Sequence, residues 1–114
     1  MKKSKADLLW ILQSMTGIAL VLLLGSHWVA QHYLVSGGLR SYSQIVSYLK
    51  TPIFFVMELS SLIVVTTHAL LGVHAIFIDI GLQPDQQLLL NVSLLLIGLF
   101  TVIYGVQLIL QIVY

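Results

Sequence analysis

The chain has 114 residues, of which 59% are hydrophobic and only 8% charged, and its formal net charge is +1. A soluble domain carries about a quarter charged residues, so this composition excludes a water-soluble globular protein and indicates a membrane protein. The small net charge does not support a nucleic-acid partner, and the lack of Cys excludes disulfides and thiolate metal sites within the chain.

Three apolar stretches are long enough to cross a bilayer as helices. A spanning helix needs about 20 mostly apolar residues, and the stretches that meet this need cover 8–30, 53–78 and 88–113. Pro52 stands at the start of the second stretch, where a missing N–H is tolerated, and Asp85 is placed to cap the third. The sequence therefore predicts an all-α membrane domain with three transmembrane helices.

Basic residues near the predicted spans indicate the orientation of the chain. Lys2, Lys3 and Lys5 precede the first span. Arg40 and Lys50 lie in the first loop. Because Lys and Arg accumulate on the cytoplasmic side, this distribution predicts a cytoplasmic N-terminus and an external C-terminus. The lack of an Arg- and Ser-rich transit segment favours a prokaryotic cytoplasmic membrane.

The first loop has a helical pattern of its own over 39–50. Apolar side chains recur there at spacings of three and four residues, which is typical of a short amphipathic helix at a membrane interface. An ordinary ordered loop is the alternative interpretation. The apolar stripe consists of Leu39, Tyr42, Ile45, Val46 and Leu49.

All four histidines lie in or beside the predicted spans: His27, His32, His68 and His74. Ionisable side chains are rare inside a bilayer, and a functional role is the default hypothesis for them. A neutral imidazole keeps a lone pair on one nitrogen, which suits haem iron in an apolar setting. The structural alternative is an interhelical hydrogen bond.

His27 and His68 are predicted to lie at different depths. Since the first two spans run in opposite directions, a rise of about 1.5 Å per residue separates the two histidines by about 15–20 Å in depth. Two ligands of one haem iron must face each other at one level. If both histidines bind haem, they bind different haems, and each haem needs a second ligand from another chain.

Two neighbours of His68 strengthen its candidacy. Gly72, one turn further on, leaves a gap of the kind that a flat macrocycle needs against a helix. Asp79 lies about 20° from His68 around the helix, at the predicted cytoplasmic boundary. A carboxylate there can serve a quinone site or deliver protons, and the alternative is a solvated residue at a helix end.

The remaining polar residues of the spans are harder to interpret. Glu58 is the only carboxylate well inside a predicted span, and it either pairs with a partner chain or belongs to a proton or quinone path. Around the helix axis, His32 faces a different direction from His27, and His74 faces a different direction from His68. We therefore interpret His32 and His74 as interfacial or structural.

Residues 68–79 (HALLGVHAIFID) resemble the second helix of the membrane-anchor subunits of succinate–quinone oxidoreductase and the related fumarate reductase. Residues 12–17 (LQSMTG) and 25–33 (GSHWVAQHY) are similar to the first helix of the two-haem members of that family. The resemblance covers nearly the whole chain. It implies a three-helix anchor that packs with a second anchor subunit into a helical bundle.

The resemblance also implies a function, that of a haem b-binding anchor subunit of succinate dehydrogenase. Such a subunit passes electrons to a membrane quinone such as menaquinone or ubiquinone. The electrons come from an iron–sulfur subunit, which receives them from a flavoprotein subunit. His68 would ligate the proximal haem b, with Gly72 packed against it, and His27 the distal haem b. Asp79 and Ser14 would bind quinone. The isolated chain would have no catalytic activity of its own.

Two alternatives remain open. The chain could be a single-haem or haemless anchor of the same complex, with only His68 or neither histidine ligating iron. It could instead be a small helical transport protein, in which Glu58 and the histidines form a proton-coupled polar path. The haem content of the complex separates these functions.

Overall fold

The computed structural model describes residues 4–35 and 37–114. The described chain forms four α-helices: α1 (Lys5–His32), α2 (Tyr42–Lys50), α3 (Pro52–Ile80) and α4 (Pro84–Val113). The three long helices each have the length and apolar composition needed to cross a membrane. This confirms the predicted all-α fold, and each long helix extends a few residues beyond the stretch read from the sequence. Lys2 and Lys3, on which the predicted orientation partly depends, lie outside the described residues.

Proline marks the start of both later spans. Pro52 and Pro84 are each the first residue of their helix, where a backbone N–H would have no partner within the helix. The prediction that Asp85 caps α4 is wrong, because the helix begins one residue earlier. The side-chain oxygen of Gln86 instead accepts the backbone N–H of Gln83 at 3.0 Å. Asp85 lies in the first turn, where its negative charge interacts favourably with the positive end of the helix dipole.

In this arrangement α3 lies between α1 and α4 and packs against both, whereas α1 and α4 make no close contact within the described residues. Two glycines allow α4 to approach α3 closely. A Cβ added to Gly98 would lie 2.5 Å from a methyl carbon of Leu70, and one added to Gly105 would lie 2.6 Å from a methyl carbon of Leu62. The three spans therefore form a row of antiparallel helices.

The buried apolar cluster lies at one end of this row, called here the α2 end. It consists of Ala30, Tyr48, Leu49 and Val113, so it joins the end of α1, the short helix α2 and the end of α4. Elsewhere, large apolar side chains are exposed along all three long helices. Since water would not solvate such faces, they have to meet lipid or other membrane subunits.

The short helix α2 forms within the loop where the sequence shows an apolar stripe. Its buried face matches that stripe only in part, since Leu49 of the stripe is buried. Leu39 and Tyr42 are 76% and 71% exposed, whereas Tyr48, which the stripe omits, is only 4% exposed. The reason is that α2 docks onto the ends of α3 and α4, so that packing against these helices selects its buried face.

Candidate functional site

His27, Glu58 and Tyr48 form a hydrogen-bonded cluster where α1, α2 and α3 meet. The carboxylate oxygen Oε1 of Glu58 lies 2.6 Å from His27 Nδ1 and 2.6 Å from the Tyr48 hydroxyl. The side chain of Glu58 is 16% exposed and that of His27 is 43% exposed. Glu58 is thus paired within its own chain, which the sequence analysis did not anticipate.

Arg40 ties this cluster to the end of α1. One terminal nitrogen of its guanidinium donates to the carbonyl oxygen of Ala30 at 2.6 Å. The guanidinium carbon lies 4.6 Å from the centre of the Tyr48 ring, which is a cation–π distance. The Tyr48 ring also stacks on Phe54, with 4.5 Å between ring centres. Tyr48 is therefore held both through its ring and through its hydroxyl.

The Tyr48 hydroxyl remains a proton donor. Burial raises the pKa of Tyr48 well above its ordinary value, and the hydrogen bond to Glu58 raises this pKa further. Both effects have the same sign, because a phenolate would be desolvated and would lie beside a carboxylate. Tyr48 therefore keeps its proton at neutral pH and donates a hydrogen bond to Glu58.

His68 lies against α1 in a second cluster. Its Nδ1 is 3.1 Å from the Thr16 hydroxyl, and a Cβ added to Gly17 would lie only 3.2 Å from His68 Cε1. The Thr16 oxygen is nearer to two backbone carbonyls, those of Leu12 at 2.9 Å and Gln13 at 3.0 Å. When the single proton of the Thr16 hydroxyl goes to one of these carbonyls, its oxygen is left to accept from His68 Nδ1–H.

The two clusters lie at two levels of the membrane domain. His27 is level with Glu58, ten residues before His68 on α3. His68 is level with Thr16, eleven residues before His27 on α1. At about 1.5 Å per residue these separations correspond to about 15 Å along the helix axes. One haem iron cannot bind both histidines.

The other predicted site residues lie outside these clusters. Gly72 faces Gln13, whose Nε2 would lie 3.4 Å from an added Cβ, so that in this chain Gln13 fills the gap beside the glycine. The Ser14 hydroxyl donates to the carbonyl of Trp10 at 3.0 Å. Asp79 is exposed in the last turn of α3.

Ser14 and Asp79 are not brought together. Ser14 lies two residues from Thr16 along α1, and Asp79 lies eleven residues from His68 along α3 in the same direction. Since Thr16 and His68 are level, about 13–14 Å separates Ser14 from Asp79 along the axis. A single quinone ring does not reach both side chains.

The remaining two histidines have other surroundings. His32 Nδ1 lies 2.9 Å from the carbonyl oxygen of Gly38, so its ring holds the turn that follows α1. His74 lines a cavity of about 340 Å³ at the opposite end from α2, together with Lys5 and Asn91.

The donor atoms of His27 and His68 fit the chemistry of axial haem ligands. A carboxylate has no proton to give, so Nδ1 of His27 carries the proton, and in a neutral imidazole Nε2 then keeps its lone pair. The same holds for His68, which donates from Nδ1 to Thr16. Within residues 4–35 and 37–114, no three His, Asp or Glu come together as a site for a free metal ion.

The sequence analysis misses three residues around these histidines: Thr16, which bonds to His68, Gly17, which leaves space for its ring, and Tyr48, which bonds to Glu58. Thr16 and Gly17 are a polar and a small residue in the middle of an apolar span, which signals a close helix contact. Tyr48 carries no comparable signal, because tyrosine is common at membrane interfaces.

Residues 1–107 match the family model described as "Succinate dehydrogenase/Fumarate reductase transmembrane subunit". The chain belongs to this family. The "Succinate dehydrogenase hydrophobic membrane anchor subunit" of Archaeoglobus fulgidus is 28% identical over 105 residues, covering 92% of this chain and 89% of the relative. The protein of the same description from Thermoplasma acidophilum is 25% identical over 93 residues, covering 82% of this chain and 76% of the relative.

Membership confirms the resemblance seen in the sequence at the level of the family. It also accounts for the architecture, because a transmembrane subunit of an enzyme complex has neighbours in the membrane. Exposed apolar faces on α1 and α4 are expected in such a subunit. The chain is a multi-pass membrane protein of this family.

Proposed function

We propose that the chain is the haem b-binding membrane anchor of a succinate dehydrogenase complex and that it passes electrons from the iron–sulfur subunit to membrane quinone. Family membership and the two anchor relatives support the complex. The observation that supports haem binding is the placement of His27 and His68 about 15 Å apart in depth. The Nδ1 atom of each histidine contacts a residue of the same chain.

In this proposal His68 would hold the iron of the proximal haem b and His27 that of the distal haem b. Haem b, when bound, supplies one-electron transfer between the iron–sulfur subunit and quinone. The chain contributes imidazoles of fixed tautomer and an apolar surrounding that excludes water. The second ligand of each haem comes from a second anchor subunit. Gly72 packs against the proximal haem, which requires the Gln13 side chain to move aside.

Quinone binds near the end of the bundle opposite α2, in the part of the bundle that contains Ser14 and Asp79. Ser14 lies nearer to the level of His68, so its hydroxyl is the candidate partner of the quinone ring. Asp79 lies at the helix end, where a carboxylate passes protons between water and the site. That end faces the cytoplasm of a prokaryotic cell, where the iron–sulfur and flavoprotein subunits dock. Succinate chemistry belongs to those subunits.

A reduced-minus-oxidised visible spectrum of the purified complex tests this function. His27→Ala and His68→Ala are each expected to remove one haem b, and a different one in each variant. His32→Ala is the matched control, because His32 bonds to its own loop, and it should keep both haems. Loss of haem only in His68→Ala would restrict the chain to one haem. Full haem content in all three variants would overturn the assignment of both ligands.

A further inference from the structure

Glu58 accepts two short hydrogen bonds on the same oxygen atom. His27 Nδ1–H and the Tyr48 hydroxyl both donate to Oε1, each at 2.6 Å. Hydrogen bonds to an ionised acceptor are shorter and stronger than neutral ones. The pair is only partly exposed, so these bonds form in a setting of low dielectric, where they are stronger than in water.

We propose that Glu58 is the positioning residue of His27. Its carboxylate holds Nδ1–H, fixes the orientation of the ring and leaves Nε2 as the iron ligand, and Tyr48 of α2 holds the carboxylate in place. This inference rests on the proposed function, since it takes His27 as a haem ligand. A carboxylate that accepts the second nitrogen of a ligating histidine is a general way of orienting the ring and raising its basicity.

Helix α2 is built to hold Tyr48 still. A capping box between Ser41 and Gln44 fixes the start of the helix. Arg40, just before it, lies over the Tyr48 ring and bonds to the carbonyl of Ala30. Ala30 is less than one turn beyond His27 on α1. The contacts thus form a closed circuit from His27 through Glu58, Tyr48 and Arg40 back to α1.

The His27 and Glu58 side chains border a cavity. A cavity of about 310 Å³ between α1, α3 and α4 is lined by both His27 and Glu58, and its other walls include Leu62, Val65 and Gly105. The His27 side chain keeps 43% of its surface exposed. A group that approaches the imidazole from outside the chain therefore meets an apolar wall and a ring whose orientation is already set.

The partner of His68 makes a built-in comparison. Thr16 is a neutral hydroxyl, whereas Glu58 is a carboxylate. A negative charge next to an axial imidazole stabilises the oxidised iron and lowers the reduction potential of that haem. Removing the charge of Glu58 should raise the potential of the haem bound by His27. The haem bound by His68 lies at the other level, about 15 Å away, and should change little.

Redox titration of both haems in the purified complex tests the proposal, together with the low-temperature EPR signal of each oxidised haem. Glu58→Gln keeps the shape and an acceptor oxygen but removes the charge. It should retain two haems, raise the potential of the His27 haem alone and shift the EPR signal of that haem alone. Tyr48→Phe keeps the charge of Glu58 and removes only one donor from its oxygen, so it should shift the potential and the EPR signal of the same haem by less. Ser61→Ala is the control, because Ser61 lines the same cavity and bonds only to the carbonyl of Met57.

The outcomes separate this inference from the proposed function. If His27→Ala removes a haem but Glu58→Gln and Tyr48→Phe leave its potential and EPR signal unchanged, Glu58 does not position His27 and only this inference fails. Equal shifts of both haems in Glu58→Gln would also overturn it, since they would indicate a general change in the subunit. If the wild-type complex contains no haem, the proposed function and this inference fail together.

Discussion

Single contacts decide how each histidine is presented. His68 reaches the Thr16 hydroxyl because Gly17 has no side chain in the way, and His27 reaches Glu58 across the α1–α3 interface. In both cases Nδ1 is used inside the chain, and a neutral ring that donates from Nδ1 keeps its lone pair on Nε2. The tautomer of each ring is therefore set by the residue that faces it on the neighbouring helix.

The space at Gly17 gives a prediction at this scale. In Gly17→Ala the new Cβ would lie 3.2 Å from His68 Cε1, so the ring has to shift. We expect a loss of about 1–3 kcal/mol in stability, as for other overpacked sites, and a lower content of the haem bound by His68. Gly25→Ala is the matched control on the same helix, because nothing lies within 4 Å of its added Cβ.

Thermal unfolding and the haem content of the two variants in detergent measure this difference. Equal behaviour of Gly17→Ala and Gly25→Ala would show that the approach of His68 to α1 is not required.

The sequence predicts the two histidines but not the residues that face them. His27 and His68 stand out because ionisable side chains are rare in apolar spans, and their separation in depth follows from helix rise alone. Their partners do not stand out. The pairing of Glu58 with His27 depends on how α1 rotates against α3, and the periodicity of apolar residues does not define that rotation within two nearly uniform apolar helices.

Among the elements, α2 shows most clearly where pattern and packing diverge. Spacing of apolar residues predicts a short helix, and a helix forms over Tyr42–Lys50. The stripe predicts its buried face only in part, because it includes the buried Leu49 and omits the buried Tyr48. Tyr48 is buried because its ring packs on Phe54 and its hydroxyl reaches Glu58, and both contacts come from α3. A tertiary partner of this kind leaves no trace in the local sequence.

Two tyrosines of α2 provide a matched test of this docking. Tyr48→Ala removes a buried ring and is expected to cost about 3–5 kcal/mol, the usual range for large-to-small changes in a core. Tyr42 is 71% exposed, so Tyr42→Ala should stay within about 0.5 kcal/mol of the wild type. Denaturant or thermal unfolding of the complex measures the loss of stability in both variants, with limited proteolysis of the 33–41 connection as the probe. Similar losses in the two variants would contradict the docking of α2 through Tyr48.

On the scale of the whole molecule, the row of helices leaves α1 and α4 each packed on one side only. The apolar faces that remain exposed have to meet lipid or other membrane subunits of the complex, and in the proposed function one of these is a second anchor subunit. The two histidine levels then lie near the α2 end and near the middle of the bundle. Residue pattern predicts the three spans well, because length and hydropathy suffice for that. It does not predict their order in the row, which follows from the glycine contacts between α3 and α4.

Orientation in the membrane is testable because the chain contains no Cys. Ser4→Cys and Tyr114→Cys place single thiols before α1 and after α4, and both positions are exposed. With an N-terminus in the cytoplasm, an impermeant maleimide added to intact cells should label Tyr114→Cys. Ser4→Cys should be labelled only after the membrane is opened. The reverse pattern would place the end opposite α2 outside the cell and would contradict the proposed docking of the iron–sulfur subunit there.

The central claim is that this chain supplies one ligand to each of two haems at two depths. Its most direct test is the amount of haem b per copy of this chain in the purified wild-type complex, from the pyridine haemochromogen spectrum and quantitative amino-acid analysis. The account predicts two haems per chain, and none retained when the chain is produced without a second anchor subunit. One haem per chain, or none in the intact complex, would contradict it.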